Sequence, residues 1–290
     1  MSRTDHMITA QELAERLASP NLKVLDASWY LPAQGRDGHA EFEAAHIPGA
    51  QFFDIEAASA PDSPLPHTLA SPAYFEATIR ALGINEGDEV VVYDGAGLFS
   101  AARAWWNLRL AGIDRVRVLD GGLPAWTRAG FRVDSGLSPQ AATGNARVRY
   151  DDRGVTSFSD MLEHVKAGDV HIIDARAAAR YAGTAAEPRP GLSSGHMPGS
   201  TNIPFSALLT ASGHILQDQE LAAVFDGNGV DRTKSVVTTC GSGVTAAVLS
   251  LGLAILGRTD VSLYDGSWSE WGGREESASL IARTDPSTVA

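Results

Sequence analysis

The sequence predicts an α/β protein of two similar domains, each a mostly parallel sheet flanked by helices on both faces. Three observations predict it. The chain has 290 residues, whereas a single domain usually takes roughly 100–200. Short β-branched runs alternate with helical patterns, as parallel sheets with crossover helices require. Four landmarks also recur in the same order in the two halves, which marks an internal repeat.

In the first half the landmarks are Val24-Leu25-Asp26-Ala27, Ala45-His46-Ile47-Pro48-Gly49-Ala50, Val90-Val91-Val92-Tyr93-Asp94-Gly95 and Val118-Leu119-Asp120-Gly121-Gly122. In the second they are Ile172-Ile173-Asp174-Ala175, Gly195-His196-Met197-Pro198-Gly199-Ser200, Val236-Val237-Thr238-Thr239-Cys240-Gly241 and Leu263-Tyr264-Asp265-Gly266-Ser267. The apolar runs read as buried parallel strands. Helical patterns at 71–82, 101–111 and 244–256 supply flanking layers. Proline and glycine make the His-Ile/Met-Pro-Gly segments turns. His46 and His196 recur as part of the repeat, so they read as architectural. Trp105, Trp106, Trp268 and Trp271 read as packing. The small, polar stretch 135–153 reads as a linker, which gives domains at 1–140 and 154–290.

Hydrophobic residues make up 44% and charged residues 20%, enough apolar material for two cores. The net charge of -12 repels phosphate backbones and anionic lipid, so neither nucleic acid nor membrane is an expected partner. A small anionic substrate would need a locally positive pocket, which directs attention to paired arginines. One cysteine leaves no disulfide framework and no multi-cysteine metal site, so no metal is expected. The polar start of the chain, and the lack of a run near the roughly 18 apolar residues of a span, point to a cytoplasmic protein. A lone thiol is free for chemistry there, although a lone buried cysteine is more often packing.

Cys240-Gly241-Ser242-Gly243-Val244-Thr245 follows a strand and precedes a helical run. Reactive groups in parallel sheets sit at the carboxyl ends of strands. Two glycines let the backbone curl, so that successive N–H groups and the start of the next helix form an anion-binding nest. Such surroundings lower a thiol's pKa and favour negative charge on sulfur. A buried strand-end cysteine beside a flexible turn is the competing reading. In the first half Asp94 stands where Cys240 stands in the second, and a carboxylate cannot carry sulfur. The first domain is therefore expected to be non-catalytic. Gly95-Ala96-Gly97-Leu98-Phe99-Ser100 is faintly like a dinucleotide-binding turn, but it lacks the third glycine and occupies the repeat position of the cysteine loop.

With Leu25-Asp26-Ala27-Ser28-Trp29-Tyr30, His46-Ile47-Pro48-Gly49-Ala50, Tyr264-Asp265-Gly266-Ser267-Trp268 and Glu270-Trp271, the cysteine loop makes the chain resemble the rhodanese superfamily over almost its whole length. The loop itself is similar to that of 3-mercaptopyruvate sulfurtransferases. Thiosulfate-using members usually carry two basic residues directly after the cysteine, where this chain has Gly241 and Ser242. The resemblance implies two rhodanese-like domains and a persulfide on Cys240, with no cofactor because cysteine is the carrier. It implies a small anionic sulfur donor, and as acceptor cyanide, a small thiol or a thioredoxin-like protein.

Arg180-Tyr181-Ala182-Gly183 and Glu187-Pro188-Arg189-Pro190-Gly191 resemble the family segment that binds the substrate carboxylate. Arg180 and Arg189 could fork onto the carboxylate and keto oxygen of mercaptopyruvate; alone, they would read as solvated surface charges. The resemblance also implies a relay of Ser242 with His67 and Glu56, aspartate being commoner in the family at the last position. His67 otherwise reads as an exposed loop histidine after two prolines. The loop amides of Gly241, Gly243, Val244 and Thr245 would hold the sulfur. Three other readings remain open: a thiosulfate-preferring sulfurtransferase, a non-enzymatic persulfide carrier and a cysteine phosphatase. The phosphatase needs an arginine six positions after its cysteine, and Ala246 stands there.

Overall fold

The computed structural model describes residues 2–284, which divide into two units. The first takes the residues up to Asp62, Leu69–Asp152 and Leu209–Leu216; the second takes Ser63–Thr68, Arg153–Leu208 and those from Gln217 onward. Set beside the expected division at 1–140 and 154–290, two short segments group with the opposite unit. Ser63–Thr68 carries His67 into the second unit, and Leu209–Leu216 joins the first. Both are loops without apolar periodicity, so no sequence pattern assigned them to either core.

In the first unit the strands are β1 (Met7–Ile8), β2 (Leu22–Asp26), β3 (Gln51–Phe52), β4 (Glu89–Tyr93) and β5 (Val116–Leu119), in the order β1-β5-β4-β2-β3. In the second they are β6 (Val155–Thr156), β7 (His171–Asp174), β8 (Thr201–Asn202), β9 (Val236–Thr239) and β10 (Val261–Tyr264), in the order β6-β10-β9-β7-β8. All pairings are parallel. The two orders are the same, as the sequence repeat requires. Every residue of β4 and β9 is buried, which is why these runs lack the apolar–polar alternation of a half-exposed strand.

Helices expected at 71–82, 101–111 and 244–256 form at Pro72–Ala81, Ala101–Leu110 and Ala246–Ile255. The last two are buried almost all round. In Ala246–Ile255 this follows from a nearly all-apolar sequence, whose one hydroxyl, Ser250 Oγ, lies 2.8 Å from Thr238 Oγ1 on β9. A side chain at Gly252 would lie 2.8 Å from Leu208 Cδ2 and 3.4 Å from the Phe225 ring, so the bare position lets these side chains pack against the helix without moving. Burying one such leucine or valine is worth roughly 1.5–3 kcal/mol, and an aspartate at Leu249 would break the packing.

The repeated histidines tie down returning chain. His46 is buried, exchanges backbone hydrogen bonds with Asp134 and sets Nδ1 2.8 Å from the Phe42 carbonyl. His196 does the same with Ala282, sets Nδ1 2.9 Å from the Tyr181 carbonyl and stacks on the Tyr181 ring. Both are architectural. Trp105 and Trp106 lie in the first unit; Trp268 and Trp271 are fully buried in the second, with indole N–H groups donating to the Ser193 and Leu280 carbonyls. Among the described residues no helix is long and apolar enough to cross a membrane.

Candidate active site

Cys240 follows the last residue of β9 and is a buried free thiol, 2% exposed. The chain after β10 fixes the start of its loop. The Cys240 carbonyl accepts from the Trp268 N–H at 2.9 Å, and the Gly241 carbonyl from the Ser269 N–H at 2.9 Å and its hydroxyl at 2.6 Å. Ser267 Oγ lies 3.4 Å from the Cys240 N–H while donating to the Tyr264 carbonyl. Gly243 has φ +80°, a left-handed conformation that costs a residue with a side chain about 1–2 kcal/mol. The loop then runs into the helix at Ala246. Among the described residues, the N–H groups of Gly241, Ser242, Val244 and Thr245 donate to no protein acceptor. The Thr239 hydroxyl, one residue before the cysteine, is likewise buried without a partner.

The first unit shows what a loop of this kind can hold. Asp94 follows β4, and its Oδ2 accepts from the N–H groups of Phe99, Ser100 and Ala101 at 2.8, 2.9 and 2.8 Å. Its Oδ1 accepts from Ala96 at 2.9 Å. Counted back from the first helical residues, Ala101 and Ala246, the donors Phe99 and Ser100 correspond to Val244 and Thr245. The loop that is closed on a carboxylate in one repeat carries a sulfur and unsatisfied donors in the other.

His67 is 1% exposed, which rules out the competing reading of an exposed loop histidine. Its φ of +60° is a strained conformation for a residue with a side chain. Nδ1 lies 2.9 Å from Ser242 Oγ, so the structure brings these two predicted residues together. Glu56 belongs to the first unit, where its carboxylate accepts from the Trp29 indole N–H at 2.9 Å and its own N–H donates to Asp54 Oδ1.

Arg180 reaches the cysteine loop. Its Nη2 lies 2.9 Å from where a Cβ at Gly241 would be, so the first glycine of the loop is the space the guanidinium occupies. Glu187 positions that guanidinium. Its carboxylate accepts from Arg180 Nε at 3.2 Å and pairs with Nη2, and it also accepts from Arg176 Nη1 at 2.8 Å. Arg176 is fully buried, bonded to Asp174 and to the Gly195 carbonyl, with its guanidinium carbon 4.1 Å over the Trp268 ring. Burial would lower the Arg176 pKa, but Asp174 and Glu187 outweigh it and hold the value above the ordinary arginine range. Arg189 is half-buried two residues beyond Glu187.

Sequence reasoning missed Arg176, Glu187 and Thr239. Asp174 and Glu187 stood inside segments already singled out, but ion pairs between a strand end and a loop follow no period. The signal available was charge at a strand end that packing should keep apolar.

The comparisons agree with this geometry. The rhodanese-like domain family matches residues 9–129 and 157–274. The chain is 43% identical over 283 residues to the 3-mercaptopyruvate sulfurtransferase of Rattus norvegicus, covering 96% of this chain and 95% of that one. It is 40% identical over 271 residues to the thiosulfate sulfurtransferase of Gallus gallus, covering 91% and 92%. The crystal structure of SseA from Escherichia coli superposes with a TM-score of 0.84 at 40% identity, covering 93% of this chain and all of that one. Two copies of one fold, a cysteine loop in the second and near full-length relatives with the same organisation place the chain in the rhodanese family of sulfurtransferases.

Proposed function

We propose that the protein moves sulfur from 3-mercaptopyruvate through a Cys240 persulfide to a thiol or cyanide. The observation that carries this is the difference between the two repeat loops: peptide donors satisfied by Asp94 in one, and in the other, among the described residues, N–H groups of Gly241, Ser242, Val244 and Thr245 left without a protein acceptor beside Cys240. A negatively charged outer sulfur would complete the second loop.

The Cys240 thiolate attacks the donor's sulfur, forming an S–S bond as the carbon–sulfur bond breaks. The electron pair of that bond stays on carbon as the pyruvate enolate, stabilised by the adjacent carbonyl. The proton lost from the donor's thiol ends on that carbon, so the products are pyruvate and the Cys240 persulfide anion. Ser242 and His67, 2.9 Å apart, can carry the proton between them. Arg180, aligned by Glu187, and Arg189 would hold the carboxylate and keto oxygen. Cyanide or a thiolate then takes the outer sulfur, and the S–S electron pair returns to Cys240 as the thiolate. No metal or organic group is needed for this balance.

The acceptor is proposed to be a small thiol or a thioredoxin-like protein, and the setting cytoplasmic; one relative's name places it in mitochondria. The first unit is proposed to be non-catalytic, and Glu56 to assist the relay. A thiosulfate donor is the second reading, favoured by a thiosulfate sulfurtransferase among relatives of nearly equal identity. Gly241 and Ser242, following the cysteine where that activity usually has basic residues, favour mercaptopyruvate.

Rapid mixing followed by intact-protein mass spectrometry decides between them. Mercaptopyruvate should add one sulfur atom to the wild type and none to Cys240→Ser, while thiosulfate adds sulfur more slowly. Faster loading from thiosulfate would reverse the donor assignment. Ser242→Ala and His67→Gln should each slow loading about a hundredfold, and together no more than singly, since they act as one unit.

A further inference from the structure

A second charged site lies in the first unit, at the opposite end of its sheet from Asp94. Glu89, the first residue of β4, is buried and takes three guanidiniums on one carboxylate. Arg16 Nη1 donates to it at 2.9 Å with Nη2 on the other oxygen; Arg115 Nη2 donates at 3.2 Å; and Arg117, on β5, completes the set. Burial alone would raise the Glu89 pKa, but the bonds from Arg16 and Arg117 hold it below the ordinary carboxylate range. With Arg109, these side chains line a cavity of about 480 Å³, whose other walls are Thr4, Asp5 and Asp114.

One carboxylate does not balance three guanidiniums. Of the neighbouring acids, Asp5 and Asp114 act on Arg109, and none of them hydrogen-bonds to Arg16, Arg115 or Arg117 among the described residues. Asp5 accepts from the Ser2 N–H at 2.6 Å, and Glu12, close enough to feel Arg117 and Arg16, accepts from the Thr9 N–H at 2.9 Å and hydroxyl at 2.7 Å. Asp114 is exposed and offers its backbone carbonyl to Arg109 Nη1 at 2.6 Å. Each guanidinium has five N–H donors in a planar fork, and Glu89 has room for only a few of the fifteen that three arginines bring. The arrangement is also the reverse of the chain's overall charge of -12, so it is not part of a general basic surface.

We propose that this cavity binds a multivalent oxyanion of the phosphate type, which would bridge Arg115 and Arg16 and take up the donors that Glu89 leaves over. No aromatic ring lines the cavity among the described residues. The site therefore recognises the phosphate group itself and has no stacking surface for a base. A volume within the roughly 300–1,000 Å³ range of small-molecule sites accommodates a diphosphate.

Isothermal titration of the whole chain with sodium pyrophosphate at low ionic strength tests this. One equivalent should bind, at least tenfold more weakly in Arg115→Ala, whose side chain is 62% exposed and whose loss spares the core. Binding should persist in Arg180→Ala, which separates this cavity from the arginines of the cysteine loop. Adenosine triphosphate should bind within about threefold of pyrophosphate, and adenosine should not bind. Sulfur loading of Arg115→Ala should equal the wild type. Absence of binding at millimolar pyrophosphate, equal binding by Arg115→Ala, or loss of binding in Arg180→Ala would each overturn the site. Tighter binding of the triphosphate by tenfold or more would overturn the claim that only phosphate is read.

Discussion

Asp94 and Cys240 end equivalent strands, yet the loops that follow them are in opposite states. Around Asp94 four peptide N–H groups converge on one buried carboxylate, and the loop is electrostatically complete. Around Cys240 the corresponding donors have no protein acceptor among the described residues, and the cysteine stands one residue nearer its helix. The same kind of nest is filled by a carboxylate in one repeat and holds no protein anion in the other among the described residues. A fixed internal anion and a catalytic nest are alternatives, because the donors can be satisfied only once.

The largest test puts the first repeat's residue into the second. Cys240→Asp should abolish sulfur loading, by at least about a thousandfold, since no sulfur nucleophile remains. It should also raise unfolding stability relative to Cys240→Ser by about 1–3 kcal/mol, as a carboxylate captures the loop amides. Equal stability in denaturant titrations of the two variants would mean that the second loop does not form a nest.

The converse change is next in size. Asp94→Ala leaves four inward N–H groups without their acceptor, at a cost of about 3 kcal/mol in the unfolding free energy of the first unit. Asp94→Asn should cost less, since the amide oxygen keeps part of the set. A change below about 0.5 kcal/mol for Asp94→Ala would show that the amides turn outward to water instead.

Much of this contrast was legible in the sequence, because repeats expose what changes against what stays. β4 and β9 announced themselves as β-branched runs, and the replacement of Asp94 by Cys240 at the same landmark marked the reactive copy. His67 was harder. Two prolines and a polar stretch suggested exposure, whereas its burial against Ser242 depends on Ser63–Thr68 packing with the second unit. Contacts far apart in sequence also hid Glu187: nothing in Glu187-Pro188-Arg189 reveals that the carboxylate holds Arg176 and Arg180 together.

That carboxylate has a parallel in the first unit, where Glu41 holds Arg36 at 2.8 and 2.7 Å and Arg36 Nη2 donates to the Gly95 carbonyl at 3.4 Å beside the Asp94 loop. Arg180→Ala removes a charge-assisted contact worth about 1.5–3 kcal/mol, or roughly 10- to 150-fold in kcat/KM for mercaptopyruvate. Glu187→Gln should raise KM by about tenfold with a smaller change in kcat, because the guanidinium remains but is no longer aligned. Steady-state kinetics over a range of donor concentrations separate the two; unchanged KM in both variants would remove Arg180 from the substrate site.

The smallest expected effect concerns another pair of equivalent acids, Asp26 and Asp174, at the ends of β2 and β7. Asp174 faces Arg176, whereas two residues after Asp26 the chain has Ser28, whose N–H and hydroxyl donate to it at 2.9 and 2.5 Å. Without a cation, burial dominates and pushes the Asp26 carboxyl up from 3.8 to about 6 despite the Ser28 and Tyr93 hydrogen bonds. A group whose pKa is raised in the folded state stabilises it fully below the unfolded value, and this contribution fades as pH rises through the folded value. From pH 5 to pH 7 the wild type should therefore lose about 1 kcal/mol relative to Asp26→Asn, which cannot ionise there. Denaturant midpoints of the two proteins across that interval measure the difference. Parallel curves would mean that Asp26 is already charged at pH 5, and that Ser28 and Tyr93 do for it what Arg176 does for Asp174.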